Sequence, residues 1–302
     1  MKTEVLIKAD LPLPLFIRGK VRDSYVLDKM LLVVATDRIS AFDSVLPNAI
    51  PSKGFVLNQL SAFWFNQTRD IMPNHLVAVI DDINTLSPYL SAKQRLSLPA
   101  YLAGRSMLVK KAKRLPFECV VRGYLAGSAW DEYRQQGTVC GFTLPKGLQE
   151  SQEMAEPLFT PTTKAESGHD LPVTLDDMKR TVGKLAEDMK TKSLAIYYYA
   201  RRYARQRGII IADTKMEFGL DGGKLILIDE LLTPDSSRFW DAAQYKLGQS
   251  QPSYDKQPVR DWLVNSMWNK EPPAPKLPPE VVEATARKYR QAYEKLTGKK
   301  PS

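Results

Sequence analysis

Four charged residues lie in an otherwise apolar stretch and have the side chains needed for phosphate and metal chemistry. Asp213, Lys215 and Glu217 alternate with other residues, so in a β-strand they project from one face. Asp229 ends the apolar run that follows the glycine pair at 222–223. Carboxylate oxygens suit Mg²⁺, which is commonly held by one or two carboxylates together with substrate phosphates. The stretch is therefore a candidate magnesium and phosphate site.

The length of the hairpin turn decides whether Asp229 joins the other three charges. A two-residue turn sends Asp229 to the opposite face, away from Glu217, whereas a three-residue turn over 221–223 pairs it with Lys215. We expect the three-residue turn, because it brings together two carboxylates that can share a divalent cation. The alternative interpretation is a solvated sheet face with ordinary salt bridges.

Two further segments have the residue types of anion sites. The glycine turn, Gly19–Asp23, lies between two predicted strands and carries Lys20 and Arg22, whose cations can meet phosphate oxygens. Arg122 precedes Gly127-Ser128, which is typical of a helix start, and a helix N-terminus beside an arginine favours anions. Pattern alone does not distinguish these segments from a plain turn and a capped helix. Neither Gly-x-x-x-x-Gly-Lys-Ser/Thr nor Gly-x-Gly-x-x-Gly occurs in the chain.

These residues must be positioned by strands and helices. The first hundred or so residues are predicted to be rich in strands, with one helix, and the later part of the chain contains both strands and helices. Runs of β-branched and aromatic residues predict strands at 15–18, 24–27, 30–35, 107–111 and 117–124. An apolar face predicts a helix over 54–66, and Thr174 with Asp177 predicts a capped helix that continues to 208 with a break near 191–193. Residues 141–172 are predicted to form a long loop, and the tail an amphipathic helix.

Composition excludes several classes of protein. The 302 residues contain 43 basic and 34 acidic side chains, a net charge of +9 that favours anionic partners. Two cysteines are too few for a disulfide framework, and we find neither a signal peptide nor an apolar run long enough to cross a membrane. We therefore expect a cytoplasmic protein without a membrane partner. The charge alone leaves nucleic acid open as a partner, but motifs typical of nucleic-acid binding are absent, so we expect none. We also expect a monomer in preference to a homodimer.

A series of motifs runs in order along nearly the whole chain. They are RGKVRD at 18–23, ATDRISAFD at 35–43, PSKGF at 51–55, ECVVRGYLAGS at 118–128, TTKAE at 162–166, DTKMEFG at 213–219, DE at 229–230, PDSSRFWD at 234–241 and YDKQPVRDW at 254–262. Together they resemble the phosphoribosylaminoimidazole-succinocarboxamide (SAICAR) synthases, in their longer form.

The resemblance implies an α+β fold, with a kinase-like antiparallel N-terminal lobe over 1–112 that covers the ATP phosphates. A larger, ATP-grasp-like C-terminal lobe over 113–302 would carry the magnesium and ribotide sites. The implied reaction uses ATP as cosubstrate, with Mg²⁺, and joins L-aspartate to the carboxylate of 5-amino-1-(5-phospho-D-ribosyl)imidazole-4-carboxylate (CAIR). Its products are SAICAR, ADP and phosphate, formed through an acyl phosphate in purine biosynthesis.

The resemblance also implies contacts for individual residues. Those near ATP are Lys20, Arg22, Lys110, Lys113, Lys164 and Glu166. Those around the ribotide are Arg122, Ser128, Arg238, Lys256 and Arg260. Glu217 and Asp229 match the magnesium-binding acids, and Asp43 and Lys53 lie on motifs near the aspartate pocket. Lys215 would neutralise phosphate charge, and Asp213 would orient or deprotonate the aspartate amine.

Two positions depart from the family pattern, and two other functions compete with the ligase. Leu171-Pro172 stands where Glu-Asn is usual, and Pro258 interrupts the stretch between Lys256 and Arg260. A kinase would share the glycine turn and the acids, but we find no His-Arg-Asp or Asp-Phe-Gly motif. A non-catalytic nucleotide- or RNA-binding module is the other alternative.

Overall fold

The computed structural model describes residues 5–42, 44–91, 98–164 and 170–301. The chain forms two compact units. Unit 1 combines Met1–Asn66, His75–Ala112 and Asp255–Ser302, and unit 2 combines Gln67–Asn74 and Lys113–Tyr254. Residues 255–302 thus pack with the N-terminal part of the chain, which differs from the expected division into lobes of 1–112 and 113–302.

The described residues contain mixed strands and helices, consistent with the expected α+β class. The strands are β1 Leu15–Arg18, β2 Arg22–Leu27, β3 Met30–Ala35, β4 Arg38–Ala41, β5 Ser44–Ala49, β6 Leu76–Ile80, β7 Ser106–Lys110, β8 Lys113–Tyr124, β9 Thr138–Val139, β10 Phe142–Thr143, β11 Glu153–Phe159, β12 Thr162–Thr163, β13 Ile209–Asp221, β14 Lys224–Ile228 and β15 Ser237–Asp241. The α-helices are α1 Lys53–Gln67, α2 Ser128–Gln136, α3 Leu175–Val182, α4 Leu185–Arg205, α5 Gln257–Asn265 and α6 Pro279–Thr297, and two 3₁₀-helices span Ile83–Tyr89 and Ala100–Leu102.

Unit 1 is built on an antiparallel sheet with the strand order β1-β2-β3-β7-β6, and β4 pairs with β5 in a separate ribbon. The sheet buries alternate residues such as Leu32 and Val34, as expected for strands with one face on a core. Strand β1 is a sheet edge, and its residues are exposed. The chain reverses between β1 and β2 at the glycine turn, where the Gly19 amide donates to the Arg22 carbonyl at 2.8 Å.

The C-terminal helices belong to unit 1 because of their apolar residues. Val259, Leu263 and Ala286 form one buried cluster with residues of the β4–β5 ribbon such as Ile39 and Leu46. The expected amphipathic helix at the end of the chain is confirmed as α6. No helix in the described part of the chain is long and apolar enough to cross a membrane.

Unit 2 is built on a six-stranded sheet centred on β13. Strands β8 and β14 flank β13, β15 pairs with its first half, and β11 and β12 add to the far side of β8. Helix α4 packs on this sheet through buried side chains, and the Tyr197 hydroxyl donates to the Ile211 carbonyl of β13 at 2.8 Å. The sheet is therefore the frame that positions the charged residues of β8 and β13.

Two expectations about this region are wrong in part. The predicted loop at 141–172 contains β11, whose Leu158 pairs with Arg122 of β8. The predicted helix break near 191–193 occurs earlier, at Gly183, which has a positive φ of 61° and ends α3. The predicted start is confirmed, since Thr174 and Asp177 form a reciprocal capping box.

We predict that Gly123→Ala destabilises unit 2. A Cβ at Gly123 would lie 1.9 Å from the Tyr197 hydroxyl oxygen, so Tyr197 must move and lose its bond to β13. The expected loss in the free energy of unfolding is about 3 kcal/mol, measured by urea denaturation. Tyr197→Phe is the control, because it removes only the hydrogen bond and should cost about 1 kcal/mol. A Gly123→Ala cost no larger than that of the control would contradict the steric argument.

Candidate active site

The hairpin of β13 and β14 has a two-residue turn, so the expected three-residue turn is wrong. Asp221 pairs with Lys224 across the turn, and Glu217 pairs with Ile228. The two turn residues, Gly222 and Gly223, have φ values of +56° and +82°, and two consecutive positive φ angles match the twist of a two-residue hairpin. Asp229 therefore lies beyond the last strand pair and is not paired with Lys215.

Asp229 still interacts electrostatically with charged residues of β13, although the alternation of side chains along the strands does not predict this. Strand β14 ends at Ile228, and Asp229 itself has a positive φ of 70°. The alternation of side chains therefore stops before this residue. Its charge contributes to the raised pKa values of both Lys215 and Glu217. The carboxylate thus lies within electrostatic range of both side chains.

The core of the site is a quartet of two acids and two lysines: Glu118, Lys164, Lys215 and Glu217. Glu118 on β8 lies directly across from Glu217 on β13. Lys215 Nζ donates to Glu118 Oε1 at 2.5 Å and to Glu217 Oε1 at 3.0 Å. Lys164 Nζ donates to the same Glu118 oxygen at 3.0 Å and also to Glu217 Oε1. Each lysine bridges both acids, which offsets the repulsion of two carboxylates facing each other.

Backbone pairing brings Lys164 into the quartet. It follows β12, whose Thr162 pairs with Glu118 of β8, and the Lys164 amide donates to the Pro116 carbonyl at 3.0 Å. The short return of the chain along β8 therefore carries a lysine from a distant part of the sequence to both acids. The Glu217 side chain is only 4% exposed, so most of its compensation comes from protein charges instead of water.

The quartet shifts the pKa values of its members in different directions. Burial by itself would raise the pKa of Glu118, but the charges of Lys215 and Lys164 hold it below the ordinary value. Burial and the nearby Asp229 carboxylate raise the pKa of Glu217. Burial would lower the pKa of Lys215, but the surrounding acids, led by Glu217, raise it above the ordinary value. Lys215 is therefore a fixed cation near neutral pH and not a proton acceptor.

Glu118 is the member of the quartet that the sequence analysis missed. It lies in the motif ECVVRGYLAGS, but its position opposite Glu217 depends on the register of β8 against β13, which one sequence does not reveal. The available signal was the two-residue period of β8, which puts Glu118 on the same face as Arg122.

A second group of charges surrounds Asp213, which lies two residues before Lys215 on the same strand. Arg122 on β8 and Arg238 on β15 are the cross-strand neighbours of Asp213 on its two sides. Arg238 Nη1 donates to Asp213 Oδ2, and Arg122 Nη1 lies 3.5 Å from the same oxygen. Arg122 Nε also donates to the buried Thr160 hydroxyl at 3.0 Å. One buried carboxylate thus holds two arginines side by side.

The N-terminus of α2 lies beside Arg238. Helix α2 begins at Ser128, and its N-cap, Gly127, supplies no side-chain hydrogen bond to the first-turn amides. A Cβ at Gly127 would lie 2.2 Å from Arg238 Nη2, so only glycine admits the guanidinium at this place. The expected helix start at Ser128 is confirmed, but the arginine that lies against its N-cap is Arg238 instead of the expected Arg122.

The remaining predicted site residues are spread over both units. Lys20 and Arg22 lie on the glycine turn, Lys110 ends β7 and Lys113 begins β8. Lys53 begins α1, is fully buried, and has its Nζ 5.9 Å from the centroid of the Tyr289 ring. Asp43 and Glu166 lie outside the described residues.

Lys256 and Arg260 lie on one turn at the start of α5, where the Arg260 amide donates to the Lys256 carbonyl at 3.0 Å. Pro258 occupies the first turn of this helix, where a missing amide hydrogen leaves no helical bond unmade. Pro258 therefore permits the helix that places Lys256 and Arg260 one turn apart, because the proline begins this helix instead of breaking it.

The described residues contain no group of three or more His, Cys, Asp or Glu side chains able to hold a metal ion. The two acids that match the family's magnesium positions, Glu217 and Asp229, therefore do not form a complete protein cage for a metal ion. This donor set matches a magnesium ion that takes its other ligands from phosphate oxygens and water.

Comparisons with known proteins give one consistent result. A family model described as SAICAR synthetase matches residues 15–275. The chain is 54% identical over 284 residues to the phosphoribosylaminoimidazole-succinocarboxamide synthase of Thermodesulfovibrio yellowstonii, covering 93% of this chain and 94% of that protein. The protein of the same name from Geobacter sulfurreducens is 52% identical over 299 residues, covering 98% and 99%. The structure of SAICAR-synthase from Saccharomyces cerevisiae complexed with SAICAR has a TM-score of 0.87 and 47% identity, covering 98% and 99%.

We predict that the two acids of the quartet have opposite effects on stability as the pH changes. The lowered pKa of Glu118 contributes stability that is present above its unfolded pKa of about 4.3 and is lost as the pH falls further. The raised pKa of Glu217 contributes stability that is fully present below the unfolded pKa of about 4.3 and is lost as the pH rises through the higher pKa of the folded protein.

Urea unfolding of the wild type, Glu118→Gln and Glu217→Gln between about pH 3.5 and 7 measures both effects. Relative to the wild type, Glu118→Gln should be less stable by about 2 kcal/mol at pH 7, and this difference should shrink on acidification. The difference for Glu217→Gln should change with pH in the opposite sense. Equal slopes for the two variants would contradict the charge arrangement.

Proposed function

The chain belongs to the SAICAR synthetase family and has its activity, the ATP-dependent ligation of L-aspartate to CAIR in purine biosynthesis, and we propose that the quartet serves the phosphoryl transfer. This membership confirms the resemblance inferred from the motifs and the α+β fold that it implied. The observation that carries the proposal is the pair of buried acids facing each other across β8 and β13 with two shared lysines.

A carboxylate must be activated before an amine can displace one of its oxygens. In the proposed sequence a CAIR carboxylate oxygen attacks the γ-phosphorus of ATP, and ADP leaves. The aspartate amine then attacks the acyl carbon of the resulting acyl phosphate, phosphate leaves with that oxygen, and the nitrogen loses a proton. Phosphoryl transfer requires positioning and charge neutralisation more than covalent help from the protein. Lys215 is a fixed cation suited to that neutralisation, and Lys164 Nζ contacts the same two acids.

Glu217 and Asp229 are the residues that would hold Mg²⁺. Burial and the charge of Asp229 raise the pKa of Glu217, and a divalent cation bound by the two acids would relieve their repulsion. When bound, the ion would neutralise charge on the phosphates and on the leaving ADP. The surplus of positive charge on the chain is explained by the same chemistry, because ATP, CAIR and aspartate are all anions.

The arginines around Asp213 are proposed to bind the ribotide. Arg122 and Arg238 present two forked donors on either side of Asp213, and Arg238 also lies against the N-cap of α2, an arrangement suited to a phosphate or carboxylate. Asp213 accepts from Arg238 and pairs with Arg122, so its contacts favour holding these arginines over removing a proton from the aspartate amine.

In unit 1, Lys20 and Arg22 of the glycine turn are proposed to contact the ATP phosphates, as the family pattern implies. Lys110 and Lys113 are proposed to lie near the nucleotide, Lys256 and Arg260 near the ribotide, and Lys53 near the aspartate. The cytoplasmic location and the monomeric state stay predictions.

Release of ADP by the purified protein tests the proposed reaction. With Mg²⁺, ATP, CAIR and aspartate, release should require every component, and omission of any one should abolish it. Glu217→Gln and Asp229→Asn should each lower kcat by about 100-fold or more, because each removes a charge at the transferred phosphate. Asp221→Asn, at the tip of the same hairpin, is the matched control and should stay within about twofold of the wild type.

Three results would count against the proposal. Release of ADP without aspartate would mean that phosphorylation is not coupled to ligation. Full turnover by both Glu217→Gln and Asp229→Asn would mean that the transferred phosphate lies elsewhere. Binding of nucleotide or RNA without any release would favour a non-catalytic binding protein instead.

A further inference from the structure

Three successive carbonyl oxygens of the glycine turn are held by two buried residues, Thr36 and Arg38. Arg38 Nη2 donates to the Gly19 carbonyl at 2.8 Å, and Arg38 Nε donates to the Lys20 carbonyl at 3.0 Å. The Val21 carbonyl accepts from the Thr36 hydroxyl at 2.8 Å and from the Thr36 amide at 3.0 Å. The turn itself is exposed at Gly19 and Lys20, whereas Thr36 and Arg38 are buried.

Arg38 makes five hydrogen bonds, as many as a guanidinium has N–H groups. Besides the two carbonyls of the turn, it donates to Asp23 Oδ1 at 2.8 Å, to Asp23 Oδ2 at 3.4 Å and to the Ile7 carbonyl at 2.5 Å. The Asp23 side chain is fully buried, accepts from the Ala9 amide at 2.9 Å, and neutralises the buried guanidinium. The arginine is therefore fixed from several sides, and so are the carbonyls it holds.

Holding these carbonyls matters for a turn that meets phosphate. A carbonyl oxygen carries partial negative charge, so an anion is favoured only where the carbonyls of the turn point away from it and the cationic side chains point toward it. Arg38 and Thr36 direct the oxygens of residues 19–21 inward and satisfy them there. The exposed side of the turn is left to Lys20 and to the half-buried Arg22.

We propose that Arg38, fixed by Asp23, is a positioning residue that holds the glycine turn in the conformation that binds the nucleotide phosphates. The proposal rests on the proposed function only in that it takes Lys20 and Arg22 to contact those phosphates. Arg38 does not itself touch the nucleotide in this arrangement, because its donors are engaged by the turn, Asp23 and Ile7.

Arg105 provides a matched control. Its side chain is 11% exposed, against 10% for Arg38, and it pairs with the fully buried Asp37 at 2.9 Å. Asp37 binds the Leu6 and Gly54 amides and not the carbonyls of the glycine turn. Arg105→Gln therefore removes a comparable buried ion pair of unit 1 and leaves the contacts of the turn in place.

The test compares the wild type, Arg38→Gln, Arg38→Lys and Arg105→Gln. Calorimetric titration with ADP and Mg²⁺ measures nucleotide affinity without requiring turnover, and steady-state kinetics give KM for ATP, CAIR and aspartate. Arg38→Gln should weaken ADP binding and raise KM for ATP by about 10- to 100-fold, the size expected from a displacement of ~1 Å. KM for CAIR and aspartate should change by less than about twofold. Arg38→Lys should be intermediate, because an ammonium cannot reproduce the planar fork.

Arg105→Gln should lower thermal stability to a similar extent while leaving ADP affinity near that of the wild type. The proposal is overturned if Arg38→Gln binds ADP as tightly as the wild type, or if both arginine variants lose affinity equally. If Arg38→Gln does not fold, Arg38→Lys decides, since unchanged affinity in that variant also overturns the proposal. A wild type that binds ADP but forms no SAICAR would refute the proposed function, while the affinities of the variants would still decide the role of Arg38.

Discussion

Compensation of buried charge is the constraint on which the site depends. Glu118 and Glu217 face each other across β8 and β13, and two opposed carboxylates shielded from water are strongly unfavourable unless cations satisfy them. Lys215 comes from the same strand as Glu217, and Lys164 arrives along β12. The register of the central sheet and the short return of the chain along β8 are therefore both needed before the acids can be buried. Bound substrate phosphates would interact with the same two lysines.

The same constraint recurs at other points of the chain. Asp213 is buried between two arginines in unit 2. In unit 1, Asp23 with Arg38 and Asp37 with Arg105 are buried pairs that hold irregular backbone: the glycine turn, the segment around residues 6–9 and the start of α1. Irregular segments lack the repeating hydrogen bonds of helices and strands, so side-chain ion pairs that bind several backbone groups are an effective way to fix them.

Much of the fold follows from local patterns in the sequence. Strands β1, β2, β3 and β7 of unit 1, helix α1, the capping box of Thr174 and the amphipathic terminal helix are each specified by residues close together in the chain. The α+β class came from the family resemblance. The charges of β13 were found because a two-residue period separates them from their apolar neighbours.

The parts that could not be predicted depend on contacts distant in sequence. Glu118 joins the quartet through the register of β8 against β13. Strand β11 lies in a polar segment without a strand pattern, and it is a strand because it pairs with β8 at the side of the sheet. The predicted length of the hairpin turn is wrong because it was based on bringing two carboxylates together. Two consecutive glycines favour a two-residue turn, and this is the turn that forms. Residues 255–302 were assigned to the wrong lobe because only packing against Ile39 and Leu46 shows where they belong.

The claim that the quartet serves phosphoryl transfer to a carboxylate is tested most directly by isotope transfer. CAIR with ¹⁸O in its carboxylate is turned over with ATP, aspartate and Mg²⁺, and the released phosphate is examined by mass spectrometry. An acyl phosphate transfers one carboxylate oxygen to each phosphate, so each phosphate formed should carry one labelled oxygen. Phosphate that carries no label would contradict activation of the carboxylate by phosphorylation, and with it the role assigned to the quartet.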